Sequence, residues 1–393
     1  MKEMKVKLDN GTLTLPLCGR VDSNSAPAVE AEIFRLCGEN PHSALILDAD
    51  ELEYISSAGL RVVLRLRKAD PTLKIVNASA EVYEIFDMTG FTEMIPVEKG
   101  YRKLSVEGCE VIGQGANGKV YRLDPDTIIK VYLSPDALPD IHRERELARR
   151  AFVLGVPTAI PYDVVRVGDG YGSVFELLNA KSLTKLIAAA PEKLDEYVGV
   201  FVELLKTIHG TEVRPEDMPD EKEVVLGWAD FLKDYLAPEK WQKLHELIDA
   251  VPVDHHMIHG DYHTKNVMVQ NGEALLIDMD TLAQGNPIFE FASIFNAFIG
   301  FSDLDYSVSQ SFLGLDRSIT EQIWDKTLRL YFGTDDPAVL ADMENRARLV
   351  GYTRLMRRLI RRHGLENDEG RRAIEHYKKT IERLVDEVGT LAI

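Results

Sequence analysis

One segment constrains the fold and chemistry of this chain more than any other, because short polar side chains follow apolar runs there in a fixed order. The segment reads His259-Gly260-Asp261-Tyr262-His263-Thr264-Lys265-Asn266 and then Ile277-Asp278-Met279-Asp280. It supplies a carboxylate at Asp261, an amide at Asn266 and a second carboxylate at Asp278. Phosphoryl transfer from a nucleotide needs such a set: one carboxylate orients the attacking hydroxyl, and the other two groups hold the bridging metal ion. We therefore predict a catalytic role for Asp261 and Mg²⁺ binding by Asn266 and Asp278.

The histidines of this segment allow a second interpretation. His259, Asp261 and His263 would belong to a metal cluster in a metal-dependent hydrolase, but the sequence offers no further ligands at a suitable spacing. Asn271-Gly272 instead predicts a β-hairpin inside the segment, and a strand, loop and hairpin in this order are typical of kinases. We therefore expect His259 to belong to the catalytic loop and to organise it by hydrogen bonds.

A glycine-rich segment earlier in the chain fits the same chemistry. Gly113, Gly115 and Gly118 form a GxGxxG pattern. This pattern also occurs in dinucleotide-binding folds, but there a helix must follow it. Here β-like residues follow, and a second β-like run contains Lys130. The flanking residues therefore predict a hairpin whose backbone N–H groups approach phosphates, with Lys130 contacting the α- and β-phosphates of the nucleotide.

A lysine in this role needs a carboxylate that fixes its position, and residues 140–153 predict a helix that offers two. Glu144 and Glu146 are both candidates, and the residues alone leave the choice open. Further along, residues 171–178 predict a strand that leads into a hinge between two lobes. The backbone amide and carbonyl groups of Glu176–Leu178 would read the edge of an adenine there, although the side chains leave GTP as a second option.

The first hundred residues alternate between β-like and helical patterns. Strands are predicted at residues 12–18, 44–48 and 73–78. Helices are predicted after the cap residues Asp22–Ser25, after Ser56-Ser57 and around residues 82–86. This alternation predicts a small α/β domain whose sheet is covered by helices on one side.

The N-terminal pattern resembles the STAS domain of bacterial anti-anti-sigma factors over residues 4–98. The resemblance rests on Gly19-Arg20-Val21-Asp22, on Ser56-Ser57-Ala58-Gly59-Leu60-Arg61-Val62 and on Phe86-Asp87-Met88-Thr89-Gly90. It implies Ser57 as a phosphorylation site, with Ser56 standing where the family often has aspartate. A phosphate at a helix N-terminus is favoured by free backbone N–H groups and by the helix dipole. The other interpretation is that Ser56 and Ser57 only cap the helix.

Residues 106 to about 385 resemble the aminoglycoside phosphotransferase and choline kinase-like family, which has a protein-kinase-like fold. The resemblance rests on the glycine loop, on Lys130 and on the sequences HGDYHTKN and IDMD. It implies ATP and Mg²⁺ as cofactors and a small molecule as the phosphate acceptor. It also implies that Asp278 takes the place of the aspartate in the protein-kinase DFG motif.

The same resemblance extends to individual residues outside the catalytic segment. The spacing to the Gly155-Val156-Pro157 turn favours Glu146 over Glu144 as the partner of Lys130. Glu290 stands where the family commonly has an aspartate that braces the loop. We interpret the arginine run in residues 354–362 as a solvated helix face rather than as a site for phosphate or a partner.

Together these patterns predict an α/β STAS domain followed by an α+β bilobal protein-kinase-like domain. The predicted boundaries are 1–98 for the STAS-like domain, 99–105 for a linker, 106–178 for the kinase-like N-lobe and 179–393 for the helical C-lobe. We expect an ATP- and Mg²⁺-dependent phosphotransferase acting on a small-molecule hydroxyl, with the STAS domain contacting a protein partner. The alternatives are a serine kinase acting on Ser57 or on a partner STAS domain, and a non-catalytic module that senses nucleotide.

Composition limits the partners of the protein. A net charge of −18 argues against binding to nucleic acid or an anionic membrane and is compatible with a cationic substrate. No apolar run approaches the roughly 18–20 residues of a membrane span, and we recognise no signal peptide. Cys18, Cys37 and Cys109 are widely spaced, as is typical of a reducing compartment. We therefore expect a cytoplasmic protein.

Overall fold

The computed structural model describes residues 6–115, 118–134 and 136–393. Ala116 and Asn117 of the glycine loop lie outside the described residues. The chain divides into two compact units, which are Met1–Val106 with Val164–Tyr171, and Glu107–Asp163 with Gly172–Ile393. Every residue predicted for the kinase-like site belongs to the second unit.

The first unit contains a five-stranded sheet and three helices. The strands are β1 (Lys7–Asp9), β2 (Thr12–Val21), β3 (Ala44–Ile55), β4 (Lys74–Ala78) and β5 (Val97–Lys99), and the helices are α1 (Ala26–Glu39), α2 (Ser57–Ala69) and α3 (Ala80–Met88). The strands lie in the order β1-β2-β3-β4-β5. Strand β1 pairs antiparallel with β2, and the remaining neighbours pair in parallel.

Burial alternates along these strands, so that only one face of the sheet is covered. Leu13, Leu15 and Leu17 of β2 are buried, whereas the residues between them are only half-buried. Val63 of α2 and Phe86 of α3 belong to the same apolar core. The prediction of an α/β domain with helices on one side of its sheet is therefore confirmed.

A second sheet follows in the chain and carries Lys130. Its strands are β6 (Glu110–Gln114), β7 (Gly118–Arg122), β8 (Thr127–Tyr132), β9 (Asp163–Val167) and β10 (Gly170–Glu176), and helix α4 (Leu138–Val153) lies between β8 and β9 in sequence. The strand order is β6-β7-β8-β10-β9. Lys130 pairs with Val120 on one side and with Ser173 on the other. Its backbone is therefore fixed by two neighbouring strands.

The rest of the chain is mainly helical. The helices are α5 (Leu183–Ala189), α6 (Leu194–His209), α7 (Glu221–Phe231), α8 (Pro238–Asp249), α9 (Pro287–Phe298), α10 (Ser307–Leu313), α11 (Arg317–Phe332), α12 (Pro337–Arg361) and α13 (Asp368–Glu387). The small strands are β11 (Lys181–Ser182), β12 (Met257–Ile258), β13 (Val267–Gln270), β14 (Glu273–Leu276) and β15 (Ala283–Gln284). They form one sheet in the order β11-β13-β14 and a second sheet in which β12 pairs with β15. Short 3-10 helices lie at Phe91–Glu93, Pro191–Lys193, Met279–Thr281, Gly300–Ser302 and Gly364–Glu366.

Helix α9 is the centre of the core in this helical region. All residues from Ile288 to Phe298 are buried, and the helix contacts α11, α12 and β12. Its start is well defined, because the Asn286 side chain accepts the N–H of Ile288 at 3.1 Å and Pro287 occupies the first turn. Residues 259–266, which follow β12 and contain Asp261, are therefore supported by a rigid apolar helix. Within the described ranges, no helix is both long and apolar enough to cross a bilayer.

Candidate active site

The catalytic loop begins with a buried histidine that uses both of its ring nitrogens. Nδ1 of His259 accepts the backbone N–H of Asp261 at 3.3 Å, and Nε2 lies 3.2 Å from the carbonyl oxygen of Ile277. An accepting Nδ1 places the proton on Nε2, which then donates to Ile277. His259 therefore ties the loop to the residue that precedes Asp278, which is the organising geometry we expect from the sequence.

The residue after this histidine must be glycine for steric reasons. Gly260 has a φ of 78°, and a Cβ atom there would lie 2.7 Å from the carbonyl oxygen of Thr281. Its own carbonyl oxygen accepts hydrogen bonds from Oγ of Ser293 and from Nη1 of Arg354, each at 3.0 Å. The loop backbone is therefore held by residues of α9 and α12. No local sequence pattern predicts Ser293 or Arg354 as supporting residues.

A buried carboxylate holds the backbone of the catalytic loop by hydrogen bonds. Glu290 is fully buried in the first turn of α9. It accepts the backbone N–H of His259 and that of Gly260, the latter at 3.0 Å. The helix dipole also stabilises a carboxylate in this position. Glu290 thus contacts the loop backbone directly, although the resemblance gives aspartate as the common residue.

Asp261 follows these anchors and is held in its charged form. Oδ2 of Asp261 lies 3.6 Å from Nε2 of His263. Burial alone would raise the pKa of Asp261, but the neighbouring ring of His263, together with the charge of Arg354, outweighs burial and holds that pKa below its usual range. The carboxylate is therefore ready to accept a hydrogen bond from a hydroxyl group at neutral pH.

The hairpin of β13 and β14 brings the two predicted metal ligands together. The carbonyl oxygen of Asn266 accepts the N–H of Ile277 at 3.0 Å, directly before Asp278. The side-chain amide of Asn266 donates to the carbonyl oxygen of Asp261 at 3.0 Å. Asp278 has a φ of 65°, which is uncommon for a residue other than glycine and is a feature of functional turns.

The donor atoms at this place fit Mg²⁺. Among the described residues, no group of three or more His, Cys, Asp or Glu side chains is arranged to hold a metal by itself. Mg²⁺ is commonly held by one or two protein carboxylates together with water and phosphate oxygens, so Asn266 and Asp278 suffice. Burial and then the charge of Asp278 raise the pKa of Asp280 to about 6. A divalent cation would offset this crowding of negative charge.

Lys130 connects the sheet to this centre through two carboxylates. Nζ of Lys130 lies 3.0 Å from Oε1 of Glu144 and 2.8 Å from Oδ1 of Asp278. Burial opposes the lysine charge, but Asp278 and Glu144 outweigh it and raise the pKa of Lys130. The hydroxyl of Tyr132 donates to Oε2 of Glu144 at 2.7 Å. Tyr132 was not predicted, although a residue two positions after Lys130 on a strand must share its face.

The preference for Glu146 as the partner of Lys130 is wrong. Glu146 lies on the exposed side of α4, where its Oε1 is 2.9 Å from Nε of Arg150. Glu144 is buried on the face of α4 that also carries Leu147 and Ala151. Residues three or four positions apart share a helix face, so the spacing from Glu144 to Leu147 is the signal that identifies the correct glutamate.

The glycine loop takes the predicted hairpin form where the structure describes it. The N–H of Gly115 donates to the carbonyl oxygen of Gly118 at 2.9 Å. A Cβ atom on Gly118 would lie 2.5 Å from the carbonyl oxygen of Val131, whereas no atom of the described residues beyond its chain neighbours lies within 4 Å of the corresponding position at Gly115. Gly113 pairs with Val120 across the hairpin. Gly118 thus permits close packing of β7 against β8.

The predicted hinge lies at the end of β10. Glu176 pairs with Thr127 on β8, and the N–H of Leu177 donates to the carbonyl oxygen of Asp126 at 2.7 Å. The backbone at the start of the hinge is therefore fixed. Adenine recognition by the backbone of Glu176 and Leu178 stays a prediction.

In the first unit the two serines take different roles. Ser56 is the N-cap of α2, and its Oγ accepts the N–H of Ala58 at 3.2 Å. Ser57 is the first residue of the helix and is exposed. The interpretation that both serines cap the helix therefore holds for Ser56 only.

Fold and site together define a kinase-like phosphotransferase that follows a small α/β domain. A family model for the phosphotransferase enzyme family matches residues 108–312, and one for the STAS domain matches residues 3–104. The first match covers more than half of the 393 residues. The chain belongs to the phosphotransferase enzyme family and carries a STAS domain before the phosphotransferase domain.

Known proteins resemble each part separately. The chain is 37% identical over 100 residues to the putative anti-sigma factor antagonist BtrV of Bordetella bronchiseptica, a match to 24% of this chain and 85% of that protein. A thermostable mutant of aminoglycoside phosphotransferase APH(4)-Ia in its apo form matches with a TM-score of 0.50 and 14% identity, over 72% of this chain and 98% of its own. A ternary complex of that phosphotransferase with AMP-PNP and hygromycin B matches with a TM-score of 0.51, 14% identity and the same 72% and 98% coverage. At such identity the structural matches show the fold alone.

Proposed function

We propose that the chain transfers the γ-phosphoryl group of ATP to a hydroxyl group of a small molecule in a Mg²⁺-dependent reaction. The proposal rests on the position of Lys130. This residue of strand β8 contacts both helix α4 and the segment that contains Asp278. Its Nζ lies 3.0 Å from Glu144 and 2.8 Å from Asp278. A lysine held in this way is suited to bind nucleotide phosphates next to the metal ligands.

The residues of the chain have separate tasks in this reaction. Lys130, held by Glu144, binds the phosphates of ATP under the glycine loop. Asn266 and Asp278 would hold Mg²⁺, which would supply positive charge against the phosphate oxygens. Asp261 accepts a hydrogen bond from the acceptor hydroxyl and takes its proton as the new P–O bond forms. The bond between the γ-phosphorus and the bridging oxygen breaks, and ADP leaves.

Turnover and binding measurements test this function. Calorimetry with ATP, GTP and AMP-PNP in the presence of Mg²⁺ measures nucleotide binding. ADP release is then followed across hydroxylated amines, sugars, sugar acids and aminoglycosides. We expect ATP to bind and at least one acceptor to accelerate ADP release. Absence of nucleotide binding by the full-length protein would refute the proposal.

The exposed serine of the first unit favours a second candidate acceptor. Because Ser56 supplies the cap of α2, the hydroxyl of Ser57 is exposed and not needed for the helix. The STAS match and the similarity to BtrV support a protein partner for this domain. Mass spectrometry after incubation with Mg²⁺ and ATP tests Ser57 as the acceptor, with Asp261→Asn as the inactive control. An unmodified Ser57 in a protein that turns over a small molecule would eliminate this candidate.

A further inference from the structure

The second half of helix α12 and the residue that ends it carry a cluster of arginines. They are Arg354, Arg357, Arg358, Arg361 and the helix-ending Arg362. None of them forms an ion pair within the part of the chain that the structure describes. Earlier on the same helix, by contrast, Arg346 pairs with Asp342 and Arg348 pairs with Glu344. In a chain with a net charge of −18, a shortage of carboxylates does not explain the difference.

Aromatic rings hold three of these side chains in place. The guanidinium carbon lies 5.5 Å from the ring centroid of Trp228 for Arg354, 5.7 Å from that of Phe231 for Arg357, and 5.3 Å from that of Phe301 for Arg358. Stacking on a ring orders a guanidinium group without using its N–H donors. Such donors match the geometry of a carboxylate or a phosphate.

Arg354 contacts the loop that carries the catalytic carboxylate, and Arg358 is within its electrostatic influence. Arg354 donates to the carbonyl oxygen of Gly260 at 3.0 Å, and its charge helps to lower the pKa of Asp261. Burial lowers the pKa of Arg358, and the negative charge of Asp261 partly opposes this effect. The arginines therefore act on the residue that we assign to the acceptor hydroxyl.

A chain of ring contacts extends from Asp261 to Arg358. Nε2 of His263 lies 3.6 Å from Oδ2 of Asp261, and the ring centroids of His263 and Phe312 are 5.4 Å apart. Phe312 and Phe301 follow at 5.1 Å, with Arg358 over Phe301. We call these five residues the acceptor face. Nζ of Lys265 adds a further positive charge 5.4 Å from the Phe312 ring centroid.

The positive charges on and beside the acceptor face repel one another. After burial, the charges of Arg362 and Arg354 lower the pKa of Arg358. Glu221 partly opposes Arg354, but burial raises the pKa of that carboxyl to about 7. The helix dipole favours cations in the last turn of α12, yet it does not account for the position of Arg354 against Gly260. An anionic ligand would relieve the repulsion.

We propose that the acceptor is an anionic hydroxyl compound, whose carboxylate or phosphate group binds Arg358 on the acceptor face while its hydroxyl meets Asp261. This inference rests on the proposed phosphotransferase function and names its substrate class. It replaces two interpretations from the sequence, namely a solvated arginine face and compatibility with a cationic substrate. An acceptor with several amino groups would instead place its positive charges against those of the arginines at this face.

Matched compounds test the inference on the full-length protein saturated with Mg²⁺ and AMP-PNP. The pairs are glycerate against serinol, and glucuronate against glucosamine; in each pair one hydroxyl compound is anionic and the other is cationic. Glucose 6-phosphate is compared with glucuronate to separate phosphate from carboxylate recognition. Calorimetry gives the affinities, and each is repeated at two salt concentrations. The variants are Arg358→Glu and, as a matched control, Arg372→Glu, which changes an exposed arginine of α13.

We expect the anionic member of at least one pair to bind more tightly than its amine partner. In Arg358→Glu its affinity should fall roughly 10- to 100-fold, as for loss of a hydrogen bond to a charged group, whereas Arg372→Glu should leave it unchanged. Tighter binding of the amines, no binding by any anionic member, or equal effects of the two variants would overturn the inference. If the unmodified protein did not bind AMP-PNP at all, that result would instead refute the proposed function itself.

Discussion

Nζ of Lys130 lies 3.0 Å from Oε1 of Glu144, and this pair links the central strand β8 to helix α4. Glu144 also accepts the hydroxyl of Tyr132, so its carboxylate is fixed before any nucleotide binds. The lysine has a second partner in Asp278 at 2.8 Å. In the proposed reaction Asp278 would hold the metal ion, and the pair with Glu144 would keep Lys130 in place for the phosphates.

The role of this pair is tested by changing the two glutamates of α4 separately. Glu144→Gln removes the charge that holds Lys130, so we expect the affinity for ATP to fall roughly tenfold and kcat to fall further. Glu146→Gln removes only an exposed contact with Arg150 and should leave both within about twofold of the unmodified protein. Calorimetry and steady-state kinetics make the comparison. Equal effects of the two substitutions would contradict the assignment of Glu144.

Asp261→Asn separates catalysis from nucleotide binding. The amide keeps the shape of the side chain but accepts no proton, so we expect kcat to fall by about 10²- to 10⁴-fold. The affinity for ATP should stay nearly unchanged because Lys130 and Asp278 are intact. Single-turnover kinetics and calorimetry on the same preparation give both values. A matching loss of ATP affinity would indicate that Asp261 acts on the nucleotide instead.

Much of this site is predictable from sequence because each of its parts lies in a short local pattern. The HGD segment, the hairpin and Lys130 follow from local patterns, and the glycine at position 260 is explained by its φ of 78°. The preference for Glu146 over Glu144 is wrong because spacing to a turn identifies a helix face less well than the periodicity of the helix itself. The support from Ser293 and Arg354 depends on how α9 and α12 pack against the loop, and local sequence carries little information about such long-range contacts.

Glu290 is expected to control the stability of the catalytic loop. Its two carboxylate oxygens accept the N–H groups of His259 and Gly260 in a fully buried site. Glu290→Gln places an NH₂ group against one of these donors, and we expect a loss of about 2–4 kcal/mol in the free energy of unfolding. Urea unfolding followed by tryptophan fluorescence measures it, because all three tryptophans lie in the second unit. The exposed Glu273→Gln is the control, and an equally small effect of both changes would contradict the bracing role.

The two serines at the start of α2 should differ in their effect on the STAS domain. Ser56→Ala removes the cap on the N–H of Ala58, which should lower the stability of the domain by about 1 kcal/mol. Ser57→Ala should change it by less than about 0.5 kcal/mol because that side chain is exposed. Scanning calorimetry of the full-length protein resolves the domain transition. A larger effect at Ser57 would show that its hydroxyl is structural and weaken its assignment as a phosphate acceptor.

Glu221 should make the stability of the second unit depend on pH. Burial, and after it the charges of Glu290 and Asp220, raise its pKa from 4.5 to about 7, although Arg354 acts in the opposite direction. A carboxyl whose pKa is higher in the folded than in the unfolded state favours folding in its protonated form. Its contribution is therefore complete below pH 4.5 and is lost as the pH rises through 7, by up to about 3 kcal/mol.

Glu221→Gln removes this titration and isolates its effect. The stability of the variant relative to the unmodified protein should rise steadily between pH 5 and pH 8, by up to about 3 kcal/mol. Urea unfolding monitored by tryptophan fluorescence at several pH values gives the difference curve. Glu223→Gln, an exposed change on the same helix, should give a flat difference curve. If the curve for Glu221→Gln were equally flat, then the pKa of Glu221 would be the same in the folded and unfolded protein, and burial would not raise it.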